Sequence, residues 1–356
     1  GLEIVKGSRK AFDAGFTEPL IVAAREARPG PERNKPAFDG NRWDLSGNEG
    51  CGLGALRGGI RFAAAYPITP ACDLLEWLAP RLDTLGGSLL QAEDELASIN
   101  MVIGASFGGV PAMTATSGPG FALMLEAMGL AVASETPAVV VNVMRGGPST
   151  GIPTKSEQAD LNMALHGLHG DAPHLVLGAL DHADCILTTE WSVRLAEALQ
   201  TVAVVLTDQL LAQSRVLIPE PEYRLPDIPG RLTSGGEGNY QRYLDTESGI
   251  SPMAIPGQPN DTYVADGLEH CESARPSTAA HDHEVQLDKR LRKIRDFDFG
   301  EHWADVRGNG NTAIITWGST TAVVREAAGR LQSSDVPVKV IALRLLLPAS
   351  PDLLAA

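Results

Sequence analysis

Three short segments of the chain each place a polar or charged side chain directly after a short apolar run. Tyr66-Pro67-Ile68-Thr69-Pro70 follows residues 61–65, Glu93 follows residues 88–92, and Arg145 follows another apolar run. Because the carboxyl ends of parallel strands meet at one edge of a sheet, we expect these side chains to face a common crevice. A hydroxyl, a carboxylate and a guanidinium would then line one cavity, which predicts a catalytic or ligand site.

Glu93 has the most specific predicted chemistry. It precedes a segment rich in Ala, Ile and Met, so we expect burial to desolvate its carboxylate and to raise its pKa. Thiamine diphosphate needs such a carboxylate, because a hydrogen bond to N1′ of its aminopyrimidine favours the imino form that removes the C2 proton. The alternative is that Glu93, or its neighbours Asp94 and Glu95, only caps the helix that follows.

Two further segments are candidates for binding. Thr116-Ser117-Gly118-Pro119-Gly120 joins a strand to a helix, and N–H groups at a helix N-terminus can bind an anion or a polar ring, although such turns are also ordinary connectors. The planar guanidinium of Arg145 fits a carboxylate, either of a ligand or of a protein acid. Thr69 would add a hydroxyl donor. Lys155 would add a second cation for a dicarboxylate substrate, although a solvent-facing lysine is the simpler interpretation.

Other motifs carry less chemistry. Gly52, Gly54 and Gly58 do not have the spacing of a dinucleotide fingerprint, so we interpret them as close helix packing. The four cysteines stand far apart with no Cys-x-x-Cys pair, and from them neither a disulfide framework nor an iron–sulfur or zinc site is predicted.

Composition limits the classes of partner. Lys and Arg total 29 against 44 Asp and Glu, a formal net charge of −15, which argues against nucleic acid because phosphate binding depends on Lys and Arg. No apolar run reaches the roughly 18 residues of a membrane span. Residues 1–6 lack the apolar core of a signal peptide, so we predict a cytoplasmic protein.

Between residues 46 and 216 short apolar runs alternate with helical patterns. This alternation predicts an α/β fold with a parallel sheet and helices on both faces. The predicted strands are 88–92, 111–115, 137–143, 175–178 and 201–207, and the predicted helices are 71–82, 94–107, 120–134, 157–166 and 184–200.

The rest of the chain divides into three further predicted segments. Residues 1–45 read as a linker with the tail of another domain. Residues 217–300, rich in Pro and Gly, read as an extended arm on a partner surface, closed by a basic helix over 283–297 whose Lys and Arg run forms a solvated face. Residues 301–356 begin a new βαβ unit with two strands and one helix, too few to bury both faces, which predicts a truncated domain.

With these segments in hand, the chain is similar to the α subunit of the thiamine diphosphate-dependent 2-oxoacid:ferredoxin oxidoreductases, from about residue 46 to 350. The motifs occur in the expected order, and together they are highly specific. They are Gly47-Asn48-Glu49, Tyr66-Pro67-Ile68-Thr69-Pro70, residues 91–100, residues 114–120, residues 145–150 and Gly267-Leu268-Glu269-His270. One departure is Cys271, where family members usually have an acid.

The resemblance implies a thiamine diphosphate fold, with a pyrimidine-type domain followed by the start of a transketolase C-terminal-like domain. It implies that Glu93 activates the cofactor. The residues implied to bind cofactor are Tyr66, Pro67, Ile68, Glu93, Thr116, Ser117 and Gly118, and those implied to bind substrate are Thr69, Arg145, Thr150 and Lys155.

The resemblance also implies partners. A β subunit would carry the Mg²⁺-diphosphate site and a [4Fe–4S] cluster, ferredoxin would dock on β, coenzyme A would be a co-substrate, and the assembly would be (αβ)₂. Residues 1–45 resemble the junction to an N-terminal γ domain, which with Lys155 favours 2-oxoglutarate over pyruvate or branched-chain 2-oxoacids. The alternatives are a transketolase-like or dehydrogenase E1β-like chain, and a non-catalytic assembly subunit.

Overall fold

The largest sheet of the protein has seven strands. The computed structural model describes residues 41–152, 155–223, 225–236, 238–349 and 354. In spatial order the strands of this sheet are β12 (Leu345–Leu347), β6 (Leu175–Gly178), β7 (Val202–Asp208), β5 (Ala138–Met144), β4 (Ala112–Thr116), β2 (Phe62–Ala65) and β3 (Ser88–Gln91). Neighbouring strands are parallel, except that β12 is antiparallel to β6.

Helices cover both faces of this sheet, which confirms the predicted α/β class. One apolar core forms under α1 (Gly47–Gly58), α2 (Cys72–Thr84) and α6 (His182–Leu199). The other forms under α3 (Glu95–Phe107) and α4 (Gly118–Ala133). Central strands such as β5 are therefore buried at every position, as continuous apolar runs favour. Two short helices, α5 (Leu161–His166) and α7 (Gln209–Gln213), complete this part, and α5 begins four residues later than predicted.

Glycines let α1 pack closely on α6. A Cβ at Gly54 would lie 2.3 Å from the carbonyl oxygen of Ile186, and one at Gly58 would lie 2.6 Å from Cβ of Val193. On another side of α1, a Cβ at Gly52 would meet the ring of Trp77 at 2.7 Å. The predicted role of these glycines in helix packing is confirmed.

A two-stranded antiparallel ribbon precedes α1. It pairs β1 (Arg42–Ser46) with β8 (Arg215–Pro219). Residues 42–45, predicted as the end of a linker, are thus part of a strand. Ser46 then caps α1 in a capping box with Glu49, which fixes where the helix begins. The predicted linker over residues 1–40 lies outside the described residues.

The arm after β8 packs on this chain. Its described residues between 220 and 279 contain no helix or regular strand. Arg231 forms an ion pair with Glu197 of α6 at 2.8 Å and donates to the carbonyl oxygen of Ser106 at 2.5 Å. Arg242, fully buried, donates to the carbonyl oxygen of Glu135 at 2.8 Å. These contacts hold one side of the arm on its own chain, because buried backbone carbonyls of that chain bind its arginines. The expectation that the arm also lies on a partner surface stays a prediction.

The basic helix α8 (Ala280–Arg295) is anchored by charge. Lys289 and Lys293 are buried and donate to opposite carboxylate oxygens of Glu135, at 2.5 and 2.9 Å. Burial raises the pKa of Glu135, but Lys293, Lys289 and Arg242 outweigh it and hold that pKa well below its usual range. The predicted solvated face is therefore wrong at these positions, since a buried carboxylate requires cationic partners.

A third buried cation of α8, Arg290, points to the arm. Arg290 makes two bonds to Glu269, at 3.1 and 2.9 Å, and His283 contacts the same carboxylate at 2.7 Å. Glu269 belongs to the Gly267-Leu268-Glu269-His270 motif. Although burial raises the pKa of Glu269, Arg290 and His283 lower it to about 2. This motif therefore holds the arm against the helix.

The C-terminal part forms its own sheet. β10 (Thr312–Trp317), α9 (Thr320–Gln332) and β11 (Val338–Leu343) confirm the predicted βαβ unit. A third strand that sequence reasoning missed, β9 (Ala304–Arg307), pairs antiparallel with β11 after a short 3₁₀ helix (Gly300–Trp303). The domain boundaries themselves stay predictions. In the described parts of the chain, every helix is too short or too polar to cross a membrane.

Candidate cofactor and substrate site

The predicted site segments lie at the carboxyl edge of the main sheet. Tyr66 follows β2. The parallel pairing of β2 with β3 extends one residue past the end of β3, where the N–H of Ala92 donates to the carbonyl oxygen of Ala65 at 3.0 Å, so Glu93 leaves the sheet beside Tyr66. Ser117 follows β4 and Arg145 follows β5, which pairs in parallel with β4. The prediction that these segments share one edge of the sheet is confirmed.

Arg145 joins two of these segments directly. Its Nη1 donates to the carbonyl oxygen of Thr69 at 2.6 Å, although the two residues are 76 positions apart. Its Nε is buried without a partner, and the guanidinium forms no ion pair with any acid in the described part of the chain. The alternative interpretation, a fixed salt bridge between Arg145 and a protein acid, is therefore wrong for the described residues. The fork is held in place yet keeps donors for an added anion.

Asn48 holds the turn that carries Thr69 by a hydrogen bond to its backbone. This asparagine of α1 is fully buried, and its Nδ2 donates to the carbonyl oxygen of Pro70 at 2.9 Å. Its Oδ1 has no partner in the described residues. Asn48 belongs to the Gly47-Asn48-Glu49 motif, which was the only sequence signal for this contact.

Glu93 is exposed in this chain, contrary to the expected desolvation. The physical reason is its place: it follows β3, an edge strand of the sheet, so no neighbouring strand covers it. Asp94 caps α3, because its Oδ1 accepts from the N–H of Ala97 at 2.7 Å. Glu93 is therefore not the cap and remains available for another role, which stays a prediction.

The buried acid of this segment is Glu95. It is 7% exposed. A Cβ added at Gly120 would lie 2.5 Å from Oε1 of Glu95 and would also meet Oγ1 of Thr116, so both side chains pack against this glycine. The N-termini of α3 and α4 meet here, and a carboxylate between two positive helix ends is favourable. Glu95 thus occupies the space that the glycine of the Thr116–Gly120 turn leaves open.

A second buried carboxylate lies at the same turn. Asp160 is 9% exposed and accepts from Nδ2 of Asn142 at 2.9 Å. A Cβ at Gly118 would lie 2.8 and 2.9 Å from its two oxygens. Burial, together with repulsion from Glu157, raises the pKa of Asp160, and the bond from Asn142 opposes that rise. Sequence reasoning missed both partners, although a single Asn within an apolar strand was a signal.

The Thr116–Gly120 turn leaves buried polar atoms without partners. Ser117 is fully buried at the N-cap position of α4, but its Oγ bonds to no described atom. Oδ1 of Asn142 is also buried and unpaired. Since buried polar groups are normally paired, these atoms fit a polar ring with donors and acceptors better than an anion, which two nearby carboxylates would repel.

The remaining predicted residues differ in exposure. Tyr66 is 41% exposed, Pro67 is exposed, and Ile68 packs against the apolar core. Thr150 and Lys155 are exposed on the loop after β5, where the N–H of Gly146 donates to the carbonyl oxygen of Lys155 at 2.8 Å. Among the described residues no group of three His, Cys, Asp or Glu side chains could hold a metal ion.

Comparison with known protein families defines the class. Residues 53–289 match the family described as pyruvate flavodoxin/ferredoxin oxidoreductase, thiamine diphosphate-binding. Taken with the parallel sheet and its carboxyl-edge site, this match defines a thiamine diphosphate-binding α/β protein. The chain belongs to the family of 2-oxoacid:ferredoxin oxidoreductase α subunits.

Individual relatives support the same family. The chain is 37% identical over 334 residues to subunit alpha of 2-oxoacid:ferredoxin oxidoreductase 1 from Sulfurisphaera tokodaii, covering 88% of this chain and 52% of the relative. It is 34% identical to the 2-oxoglutarate synthase subunit KorA of Archaeoglobus fulgidus, covering 86% and 82%. The chain thus spans about half the length of the Sulfurisphaera relative.

A solved structure is also similar. The 2-oxoglutarate:ferredoxin oxidoreductase from Magnetococcus marinus, with 2-oxoglutarate, coenzyme A and succinyl-CoA bound, superposes with a TM-score of 0.82 at 47% identity. The match covers 87% of this chain and 55% of that one.

Proposed function

We propose that this chain is the α subunit of an enzyme that converts 2-oxoglutarate, coenzyme A and oxidised ferredoxin to succinyl-CoA, CO₂ and reduced ferredoxin. Two electrons leave the substrate and pass singly to ferredoxin. Support comes from the 47% identity to a protein solved with 2-oxoglutarate, coenzyme A and succinyl-CoA. The name of the Archaeoglobus relative supports the same substrate. Pyruvate and branched-chain 2-oxoacids are the alternative substrates.

The observation that carries the proposal is the state of Arg145. Its guanidinium is fixed to the carbonyl of Thr69 and has no acid partner among the described side chains. In our proposal it binds the C1 carboxylate of the 2-oxoacid, and the Thr69 hydroxyl adds a donor. Both residues would orient the substrate through hydrogen bonds and would take no part in making or breaking covalent bonds. Thr150 and Lys155, on the loop after β5, would meet the distal carboxylate.

Thiamine diphosphate, when bound, supplies the reactive carbon that attacks the keto group and permits decarboxylation. Glu93 would hold the proton shared with N1′ of the aminopyrimidine. Tyr66, Pro67 and Ile68 would flank the ring on one side. Thr116, Ser117 and Gly118 would meet its polar edge from the adjacent strand, where the Ser117 hydroxyl has no other described partner.

We propose that a β subunit covers this edge. Glu93 is exposed here, and so are Leu90 and Leu96, three residues to either side of it in the chain, and Tyr66 after the adjacent β2, by 48%, 47% and 41% respectively. Covering that surface would remove water from around the Glu93 carboxylate. The β subunit would also carry Mg²⁺ and the [4Fe–4S] cluster, and ferredoxin, itself acidic, would dock there because this chain has a net charge of −15. We expect an (αβ)₂ assembly in the cytoplasm.

Copurification and assay test the proposal. The chain, coexpressed with a β subunit of the same enzyme family, is expected to yield a brown complex. This complex should reduce a viologen dye with 2-oxoglutarate and coenzyme A faster than with pyruvate or a branched-chain 2-oxoacid. A colourless chain that binds no partner would point to a non-catalytic assembly role. Ketol transfer between sugar phosphates without dye reduction would point to a transketolase-like enzyme.

A further inference from the structure

Asp160 stands at a helix start without capping it. It occupies the N-cap position of α5, with φ −95° and ψ 4°, yet its side chain accepts nothing from that helix. Aspartates at the starts of α3, α6 and α7 all accept a backbone N–H of their own helix. Capping is the usual role of an N-cap aspartate. The Asp160 carboxylate instead turns away and is almost fully buried, which requires another explanation.

The carboxylate connects two elements of the candidate site. Its Oδ2 accepts from Asn142 on β5, three residues before Arg145. Its oxygens also lie against Gly118, the first residue of α4. Asn142 on β5 is the register partner of Thr116, the last residue of β4, so Asp160 links β5 to the start of the helix that follows β4.

This arrangement accounts for the unpaired atoms. Because Nδ2 of Asn142 donates to Asp160, the amide group is held in one orientation. Oδ1 of Asn142 then points away from Asp160 and has no partner in the described residues. Ser117 has the extended backbone of an N-cap, with φ −132° and ψ 173°, but does not cap α4. The Asp160 carboxylate lies at that helix end and supplies the negative charge that the end favours.

We propose that Asp160 is a positioning residue that keeps the Ser117 hydroxyl and the Asn142 amide oxygen directed at the cofactor ring. The inference rests on the proposed function. Without the carboxylate, Ser117 would turn to cap α4, and the Asn142 amide would rotate. Both polar atoms would then be lost to the ring while the fold remained.

Binding of thiamine diphosphate with Mg²⁺ to the assembled αβ complex, measured by isothermal titration calorimetry, tests this inference. Asp160→Ala is expected to raise the Kd about tenfold, equivalent to one buried hydrogen bond. Asp160→Asn keeps an acceptor for Asn142 and should stay within about threefold of the original chain. Asn142→Ala should match Asp160→Ala, and the double variant should add little to either, because the two residues act as a unit.

The matched control is Asp181→Ala. Asp181 caps α6, accepting from the N–H of Asp184 at 2.9 Å, so its loss lowers the melting temperature without changing the Kd. An unchanged Kd in Asp160→Ala would overturn the inference, as would an Asp160→Asn variant as weak as Asp160→Ala. If the original complex binds no thiamine diphosphate, the proposed function fails instead.

An exchange variant decides the case in which Asp160→Ala does not assemble. N142D faces two carboxylates and should bind thiamine diphosphate poorly, whereas N142D/D160N restores one amide and one carboxylate with the roles reversed. Affinity within about threefold of the original chain supports positioning through this pair. Affinity as poor as that of N142D contradicts it.

Discussion

Arg145 holds the Thr69 turn by a 2.6 Å hydrogen bond to its carbonyl oxygen, so the predicted carboxylate-binding residues of two strands form one unit. The bond uses Nη1, and no acid in the described residues neutralises the guanidinium. A charge kept unpaired beside a fixed loop is what a carboxylate-binding site requires. The contact also means that changes at Arg145 will move Thr69.

Replacing Arg145 by Lys is expected to weaken substrate binding. A lysine keeps the charge but lacks the planar fork, so it cannot hold Thr69 and a carboxylate together. The KM for the 2-oxoacid should rise by about tenfold to a hundredfold, with a smaller change in kcat. Dye reduction by the αβ complex measures both constants. Arg81→Lys, on the exposed side of α2, is the control. An unchanged KM would rule out the role of Arg145.

Replacing Glu93 by Gln is expected to abolish most cofactor activation. The amide cannot hold the proton that a carboxylate shares with N1′, so exchange of the thiamine C2 proton should slow by about a hundredfold or more. Hydrogen–deuterium exchange at C2, followed by NMR in the αβ complex, gives the rate. Glu76→Gln on α2 should leave it unchanged. Undiminished exchange in the Glu93 variant refutes the assignment.

The contact of α1 with α6 predicts opposite effects at two glycines. Gly54→Ala places a Cβ 2.3 Å from a carbonyl oxygen, so the helices must separate and unfolding should become easier by about 2 kcal/mol or more. Gly104→Ala in α3 meets nothing within 4 Å and should stabilise the chain by up to about 1 kcal/mol. Urea unfolding followed by circular dichroism compares them. Equal effects at both positions would contradict the packing argument.

The buried lysines of α8 predict a stability that rises with pH. Burial lowers the pKa of Lys293 from 10.5 to about 8, and burial also lowers the pKa of Lys289. Between pH 8 and 10.5, the folded and ordinary pKa values of Lys293, the unfolded chain keeps the Lys293 proton that the folded chain has lost. The free energy of unfolding therefore increases from pH 8 towards 10.5. Lys293→Met should reduce that slope in urea titrations at several pH values. The same slope in both proteins would show that Lys293 does not cause it.

The sequence allowed the sheet and its edge to be predicted, because strands buried on both faces read as apolar runs and parallel strands end together. Arg145 and Thr69 could be brought together in this way. Strand β1 could not, since five residues that include Arg42 and Asp44 carry no strand pattern. The bond between Asn142 and Asp160 depends on where α5 begins, which was predicted four residues too early.

Charge placement was harder to predict than apolar packing. A run of Lys and Arg looks the same whether it meets water or a buried acid, and Glu135 gave no sign that it would lie inside. The burial of Glu93 was expected from its neighbours in sequence. Its exposure follows from the edge position of β3, which depends on strand order and not on local composition.

Glu135 has a practical consequence for dissecting this protein. Three cations from beyond residue 240 compensate this one carboxylate, which sits in the corner between α4 and β5. A shortened version that stops after β8 would retain the acid, lose these three cations and expose the surface that the arm and α8 cover. Anyone isolating the minimal cofactor-binding module should therefore neutralise position 135 in the same clone, or keep the polypeptide through Arg295.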